Sequence, residues 1–398
     1  MIKNFTGYSY NDLTILPAQI STISSRSKCN PFMKDNFLPI FTAPMASVVN
    51  EDNLLEFTKN GIVPILPRNI DIERRKHQMT ENQTWVALSL KEFELYFIDK
   101  AEERTGDFMA EYFICIDIAN GHMSSLYTKC AVAKQLANKL GYKLTIMTGN
   151  IANPDTYKWI CNFNRMQNAS TIDYIRVGIG GGSGCITTSN TSIHYPQATL
   201  IDECFKVKND LLTIKDHLGE NFYDPEYLPK IVADGGIRNY DHVIKALALG
   251  ADYVMIGSLF AQCIESAGIK YIGMHSNSPM KFNYDAYIAD SLYIDNNGNW
   301  MGQTRQLENE NYIGELTVKF FGMASADGQK SIYGEKTKTA EGITKWLQVK
   351  YKLSGWVENM TSYLRSAMSY TNCKTLKDFI GKPTLIVNSI SEIQVVNK

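Results

Sequence analysis

Lys230-Ile231-Val232-Ala233-Asp234-Gly235-Gly236-Ile237-Arg238 runs from apolar, β-branched residues into an acidic, glycine-rich turn. A helix-like stretch, Tyr240–Ala248, follows, and the same grammar then repeats as Tyr253-Val254-Met255-Ile256 leads into Gly257-Ser258. A short apolar run bounded by turn residues reads as a strand buried on both faces, and the stretch between two such runs as a crossover helix. Further strands are predicted at Ile40–Ala43, Ile62–Leu66, Trp85–Leu88, Tyr112–Asp117, Lys143–Met147 and Tyr174–Val177, with helices at Glu51–Lys59, Ser124–Leu140 and Asp155–Phe163. Strands alternating with helices in this number predict a (β/α)8 TIM barrel. A doubly wound open sheet alternates in the same way but puts its ligand residues at one switch point. Here acidic or glycine-rich strand ends recur at Asp117, Gly149-Asn150, Gly178, Asp234-Gly235-Gly236 and Gly257-Ser258. A barrel gathers such ends on one face.

The 398 residues are 44% hydrophobic with a formal net charge of -1, enough for a large core and no basis for nucleic-acid binding. Eight cysteines are scattered without a CxxC pair or a Cys/His cluster, which predicts free thiols in a reducing interior rather than disulfides or zinc. There is no basic-then-apolar leader and no apolar run of bilayer length, so a cytoplasmic protein without a membrane partner is expected. Two stretches exceed a plain barrel: residues 202–229, rich in charge, and residues 276–316, rich in Asn and Tyr. Both are expected as long insertions within a single domain spanning 1–398, because long connections in a compact domain are commonly lids or binding loops.

The chemistry concentrates in Val177-Gly178-Ile179-Gly180-Gly181-Gly182-Ser183-Gly184-Cys185-Ile186-Thr187-Thr188, where a cysteine ends a glycine-rich loop that follows a strand. Glycines permit positive φ and close approach to a ligand, and free loop amides can hold a phosphate. A thiol above a phosphate-anchored substrate suggests covalent catalysis on a nucleotide. Standing alone, the loop would read as a glycine-rich turn beside a buried thiol. Likewise Asp234-Gly235-Gly236 alone is a tight turn, and Gly257-Ser258 a helix cap. The two turns nevertheless follow the seventh and eighth predicted strands, where such barrels recurrently bind phosphate, and that joint placement favours a nucleotide site.

Cys185 in its loop, Ala233-Asp234-Gly235-Gly236-Ile237-Arg238, Ile256-Gly257-Ser258 and Phe321-Gly322-Met323 follow one another in an order that resembles the IMP dehydrogenase/GMP reductase family. The opening Tyr8-Ser9-Tyr10-Asn11-Asp12-Leu13 is loosely similar to that family's N-terminal signature. The resemblance covers most of the chain apart from the two long insertions and the extreme C-terminus. It implies Cys185 as the nucleophile that attacks purine C2. It implies Ser183, Asp234, Gly236, Gly257 and Ser258 as ligands of the ribose phosphate, with Asp234 accepting from ribose hydroxyls, and backbone contacts from Met323 and Ala324 to the purine. Thr187 matches a position of proton transfer, and Glu341 one that meets the purine N1 edge and completes a Thr–Glu pair. Asp117 and Asn150 match positions that meet ribose, nicotinamide or base. The carbonyls of Gly180, Gly182 and Cys185 match a potassium site of many dehydrogenases. A homotetramer and a nicotinamide cofactor, NADPH or NAD+, are further implications.

Four features resemble the reductases more than the dehydrogenases. Cys115-Ile116-Asp117-Ile118-Ala119-Asn120-Gly121-His122 is similar to the reductase pattern, and Tyr195-Pro196-Gln197 follows the cysteine loop as it does in reductases. The step from Leu66 to Trp85 is too short to hold the paired CBS modules of many dehydrogenases. The flap between Met323 and Glu341 is short, and its Ser331-Ile332-Tyr333-Gly334-Glu335-Lys336-Thr337-Lys338-Thr339 lacks the Arg-Tyr pair that activates hydrolytic water in dehydrogenases. Departures from the reductase pattern occur at Gly181 (usually Pro), Thr188 (usually Arg), Ala46-Ser47-Val48, Pro67-Arg68-Asn69 and Phe321. The expectation is therefore NADPH-dependent reductive deamination of GMP, or of a related purine monophosphate. The alternatives are IMP dehydrogenase-like oxidation with NAD+, and a purine-nucleotide-binding protein without turnover.

Other residues take plainer readings. Arg74-Arg75-Lys76 and Glu102-Glu103-Arg104 are expected as solvated helix faces, Cys115 and Cys263 as core thiols, and the Tyr- and Phe-rich stretch 283–293 as packing or subunit contact rather than a ligand lining. His122, just past a strand end, is a candidate cofactor contact.

Overall fold

The computed structural model describes residues 6–104, 110–272, 280–281, 316–335 and 338–388. The strands are β1 (Leu13–Ile15), β2 (Ile40–Thr42), β3 (Ile65–Leu66), β4 (Trp85–Leu88), β5 (Glu111–Ile116), β6 (Lys143–Ile151), β7 (Tyr174–Val177), β8 (Lys230–Asp234) and β9 (Tyr253–Ile256). From β2 to β9 they form one parallel sheet in the order β2-β9-β8-β7-β6-β5-β4-β3. The two ends of that order meet: Thr42 N–H donates to Val63 O and Val63 N–H to Ile40 O, each at 3.0 Å. The ring is thereby a (β/α)8 barrel.

Two packed layers hold it. Inside the ring, Phe41, Trp85, Phe113, Tyr174 and Tyr253 pack with Ile65, Met147, Val232 and Met255. Outside it, the opposite faces of the same strands meet the helices, which is why these strands read as continuous apolar runs rather than alternating ones. The helices begin and end where local chemistry dictates. Asn153 caps Pro154–Met166 by accepting from Asp155 N–H, with Pro154 at the first helical position. Gly141, at φ 83°, ends Ser124–Leu140 in the left-handed conformation that glycine adopts without strain.

Two expectations need correction. The charged stretch from residue 202 is no insertion at its start: Gln197–Thr213 is one barrel helix, burying Ala198, Leu200, Ile201, Cys204 and Leu211 against the strands. Its charges mark the outward face, and only residues 214–229 extend beyond a plain β/α unit. Arg75 is also not solvated. It is 2% exposed and donates to Ile70 O, Ala87 O and Glu92, locking the helix Ile72–Glu81 beneath β4. The second expected insertion, 276–316, lies almost wholly outside the described residues, as does the stretch 283–293.

Two smaller sheets complete the description. One is antiparallel, in the order β11-β10-β12-β13, built from β10 (Lys270–Ile272), β11 (Met280–Lys281), β12 (Thr317–Phe321) and β13 (Thr344–Gln348). In the other, β14 (Leu385–Val387) pairs antiparallel with β1, Leu13 opposite Val387. No helix among the described residues is long and apolar enough to cross a membrane.

Candidate active site

The C-terminal strand ends converge as the barrel predicts, and three contacts stitch the loops together. The loop after β7 touches the loop after β8, where Gly236 N–H donates to Gly181 O at 2.9 Å. The fit is close at residue 181, where a Cβ would stand 3.2 Å from Gly236 N. Phe320 of β12 wedges between two further loops: a Cβ on Gly184 would lie 3.2 Å from its Cε1, and one on Gly257 would lie 4.0 Å from its Cζ.

The third contact brings the cysteine to the flap. Because Phe321 pairs with Thr344, β12 and β13 carry Gly322–Ala324 and Glu341–Ile343 to the same place. There Cys185 bridges Gly342 antiparallel and Ser325 bridges Gly342 parallel. Ile186 N–H donates to Glu341 O at 3.1 Å, Ile343 N–H to Gly184 O at 2.9 Å, and Glu341 N–H to Ala324 O at 3.1 Å. The segments Gly184–Ile186, Ala324–Ser325 and Glu341–Ile343, far apart in sequence, are thus neighbours through backbone pairing, with Thr187 and Met323 next to them in the chain. The flap helix Ala326–Tyr333 is anchored on this sheet by Asp327, which pairs with Lys319 at 3.0 Å and accepts from Thr344. Lys336 and Thr337 lie outside the described residues.

The Cys185 thiol donates to Thr187 Oγ1 at 3.2 Å. Thr187 makes no side-chain hydrogen bond to Glu341 among the described residues. Ser183 Oγ is buried without a partner, an orphaned hydroxyl of the kind an incoming anion would satisfy. All eight cysteines are free; seven are buried and Cys185 alone is partly accessible. Alkylation of the native protein should therefore modify Cys185 alone, with the other thiols reacting only on unfolding. Peptide mass mapping checks this, and a second cysteine labelled at a similar rate would contradict the burial described.

Beneath the mouth lies a charge network that the sequence reading missed. Arg176 of β7, 8% exposed, points into the barrel and joins two acids, Asp117 Oδ1 at 3.2 Å and Asp234 Oδ2 at 3.0 Å. Arg68 holds the other Asp117 oxygen at 3.0 Å. Asn150 Nδ2 donates to Asp234 Oδ2 at 2.7 Å and to Gly178 O at 2.8 Å. The side-chain contacts of Asp234 fall on Oδ2, and its Oδ1 has no partner among the described residues. Burial pushes the Asp117 carboxyl up, but the Arg176 and Arg68 guanidiniums outweigh it and hold it below the usual carboxylate range. Arg176 Nη1 also lies 3.7 Å from Cys115 Sγ, a thiol that burial pushes up to about 12. An arginine inside an otherwise apolar buried strand was the available signal, since buried charges occur paired.

His122 lines a cleft of about 400 Å³ with Tyr127, Asp155 and Trp159. Its Nε2 accepts from Ala152 N–H at 3.2 Å and its Nδ1 meets Thr156 Oγ1 at 3.0 Å, which holds the ring beside the Asn150 loop. The carbonyls of Gly180, Gly182 and Cys185 lie on the loop after β7, where Gly182 O accepts from Cys185 N–H at 3.0 Å, and no step below uses a cation.

Comparison with known proteins agrees with this geometry. Residues 7–287 match the profile of the IMP dehydrogenase / GMP reductase domain. The chain belongs to the IMP dehydrogenase/GMP reductase family. Curated relatives within that family include the GMP reductase of Staphylococcus epidermidis, 28% identical over 395 residues that cover 96% of this chain and 97% of the relative. The GMP reductase of Streptococcus gordonii is 27% identical over 403 residues, covering 98% of each chain. The GMP reductase of Staphylococcus aureus is 28% identical over 396 residues, 96% of this chain and 97% of its own. The family is one of oxidoreductases acting on purine monophosphates.

Proposed function

We propose that the chain reduces GMP, or a closely related purine monophosphate, to IMP and ammonia with NADPH, through a covalent intermediate on Cys185. The observation that carries the reading is the Cys185–Gly342–Ser325 bridge, because it sets the thiol beside both Thr187 and the flap bearing Glu341. Ser183 and the Gly235–Gly236 and Gly257–Ser258 turns take the phosphate, and the free Oδ1 of Asp234 takes the ribose. Main-chain groups of Met323 and Ala324 meet the base.

The Cys185 thiolate adds to purine C2. Thr187 and Glu341 carry a proton to the 2-amino group, which leaves as ammonia while the C2–S bond remains as a thioimidate. A nicotinamide, when bound, would supply hydride to C2, and Asp117 and Asn150, whose network lies just beneath the mouth, would hold its polar groups. Cleavage of the C–S bond then returns the thiolate. In balance, GMP, NADPH and two protons give IMP, NADP+ and ammonium. Nothing in the flap around Tyr333 supplies a guanidinium to activate water, which favours reduction over hydrolysis of the thioimidate.

Steady-state assays with GMP or IMP and each nicotinamide test the reading. Loss of NADPH with stoichiometric ammonia release on GMP is expected. NADH formation from IMP, with GMP inert, would instead establish the dehydrogenase reaction, and binding of both nucleotides without any adduct at Cys185 would leave a binding protein.

A further inference from the structure

We propose that His242 is a positioning residue for the Asp234–Arg238 turn, holding it from below through a neutral imidazole. The ring is 3% exposed and touches the turn twice: Nδ1 lies 3.2 Å from Arg238 N and 3.0 Å from Gly236 O. Its Nε2 lies 2.8 Å from Asn11 Oδ1, on a segment that runs beneath the turn. On that segment Tyr10 supports both partners. Its ring centroid is 5.3 Å from that of His242, and a Cβ on Gly236 would stand 3.5 Å from its Cε2.

Hydrogen-bond accounting makes the protonation state matter. In the neutral tautomer that lets Nδ1 accept Arg238 N–H, Nε2–H donates to Asn11 Oδ1, so two hydrogen bonds form at once. In the charged ring, Nδ1–H must turn to the Gly236 carbonyl, and Arg238 N–H is left without its acceptor. Protonation thus exchanges one hold on the turn for another, two residues from Asp234. The charged groups facing the ring are Asp241, 4.0 Å from Nε2, Lys245 and Arg238, with Tyr10 above. Lys245 neutralises Asp241 at 2.8 Å and also donates to Tyr10 O at 3.0 Å. Burial lowers the His242 pKa more than Asp241 raises it, so the neutral form prevails at neutral pH. The helix Leu353–Tyr370 meets this region through the stack of Trp356 on Tyr240 rather than through the imidazole.

Two variants separate positioning from general stability. His242→Ala removes the acceptor, whereas His242→Asn keeps an oxygen near the Nδ1 position that cannot be protonated. Amide hydrogen exchange at Arg238 is the direct readout and needs no ligand. It should speed up about tenfold in His242→Ala, the loss of one hydrogen bond, and return toward wild type in His242→Asn. The affinity arm rests on the proposed nucleotide site. There the dissociation constant for GMP should rise about tenfold in His242→Ala with kcat little changed. The wild type should lose affinity below pH 6.5 more steeply than His242→Asn, which shares only the titration of the GMP phosphate. Unchanged exchange at Arg238 in His242→Ala, or an acid-dependent loss equal in wild type and His242→Asn, would overturn the proposal. If His242→Ala does not fold, the comparison with His242→Asn decides. A wild type that binds no GMP sinks the nucleotide reading, while the exchange arm still judges His242.

Discussion

Replacing Cys185 with alanine is expected to lower turnover of GMP roughly 10⁴-fold or more while leaving nucleotide binding nearly intact. The size follows from the role proposed for the thiol. Without it no covalent adduct forms at C2, and neither departure of the amino group nor reduction has its sulfur-bound intermediate. Binding should survive because the proposed phosphate and ribose contacts come from Ser183 and from the loops after β8 and β9, not from the thiol itself. Cys185 contributes to them only through its bridge to Gly342, which the alanine backbone preserves. Calorimetric titration with GMP against a steady-state assay separates the two effects. Equal losses of affinity and rate would mean that the residue shapes the loop rather than forms the bond. Rescue by serine is not expected, since an alcohol lacks the ready ionisation of a thiol.

The second large effect belongs to Arg176. Removing one member of a buried ion pair leaves an uncompensated charge and typically costs about 3–5 kcal/mol. Arg176→Met strips the shared partner from both Asp117 and Asp234, although Arg68 still holds Asp117 and Asn150 still holds Asp234. Denaturant unfolding at neutral pH should therefore show a deficit of that order. Its pH dependence has a definite sign. Asp117 in the folded protein titrates below the usual carboxylate range, so its pairing stabilises the fold fully at neutral pH and is lost as pH falls through that lowered value. The deficit of Arg176→Met should be largest at neutral pH and shrink on acidification. Adding Asp117→Asn should recover part of it. A variant as stable as the wild type at neutral pH would contradict the network.

Strands buried on both faces were the most legible part of the chain: the bounds read at Trp85–Leu88, Tyr174–Val177 and Tyr253–Ile256 are those in the structure. The helix Gln197–Thr213 was misread because its outward charges drew the eye, while its buried face repeats at helical spacing beneath them. The antiparallel sheet of β10 to β13 escaped notice for another reason. Its strands are short and its pairing is long-range, and pattern within a strand does not name the partner. Motifs named Cys185, Thr187 and Glu341, yet their convergence depends on the Phe321–Thr344 register, a fact of pairing rather than of composition. Arg176 was readable from the oddity of its place but was passed over because the run around it is apolar.

The pairing of β1 with β14 has a consequence for synthesis. Tyr10 and Asn11, which lie under the Asp234–Arg238 turn, lead directly into β1, and β1 is paired only when Leu385–Val387 arrives. The hydrogen bond from Thr14 to Asn388 spans 374 positions. On a growing chain the barrel strands can assemble well before that, since β9 ends at Ile256. The underside of the Asp234–Arg238 turn gains its final clasp only once Leu385–Val387 has been made, so that turn is completed later than the barrel itself.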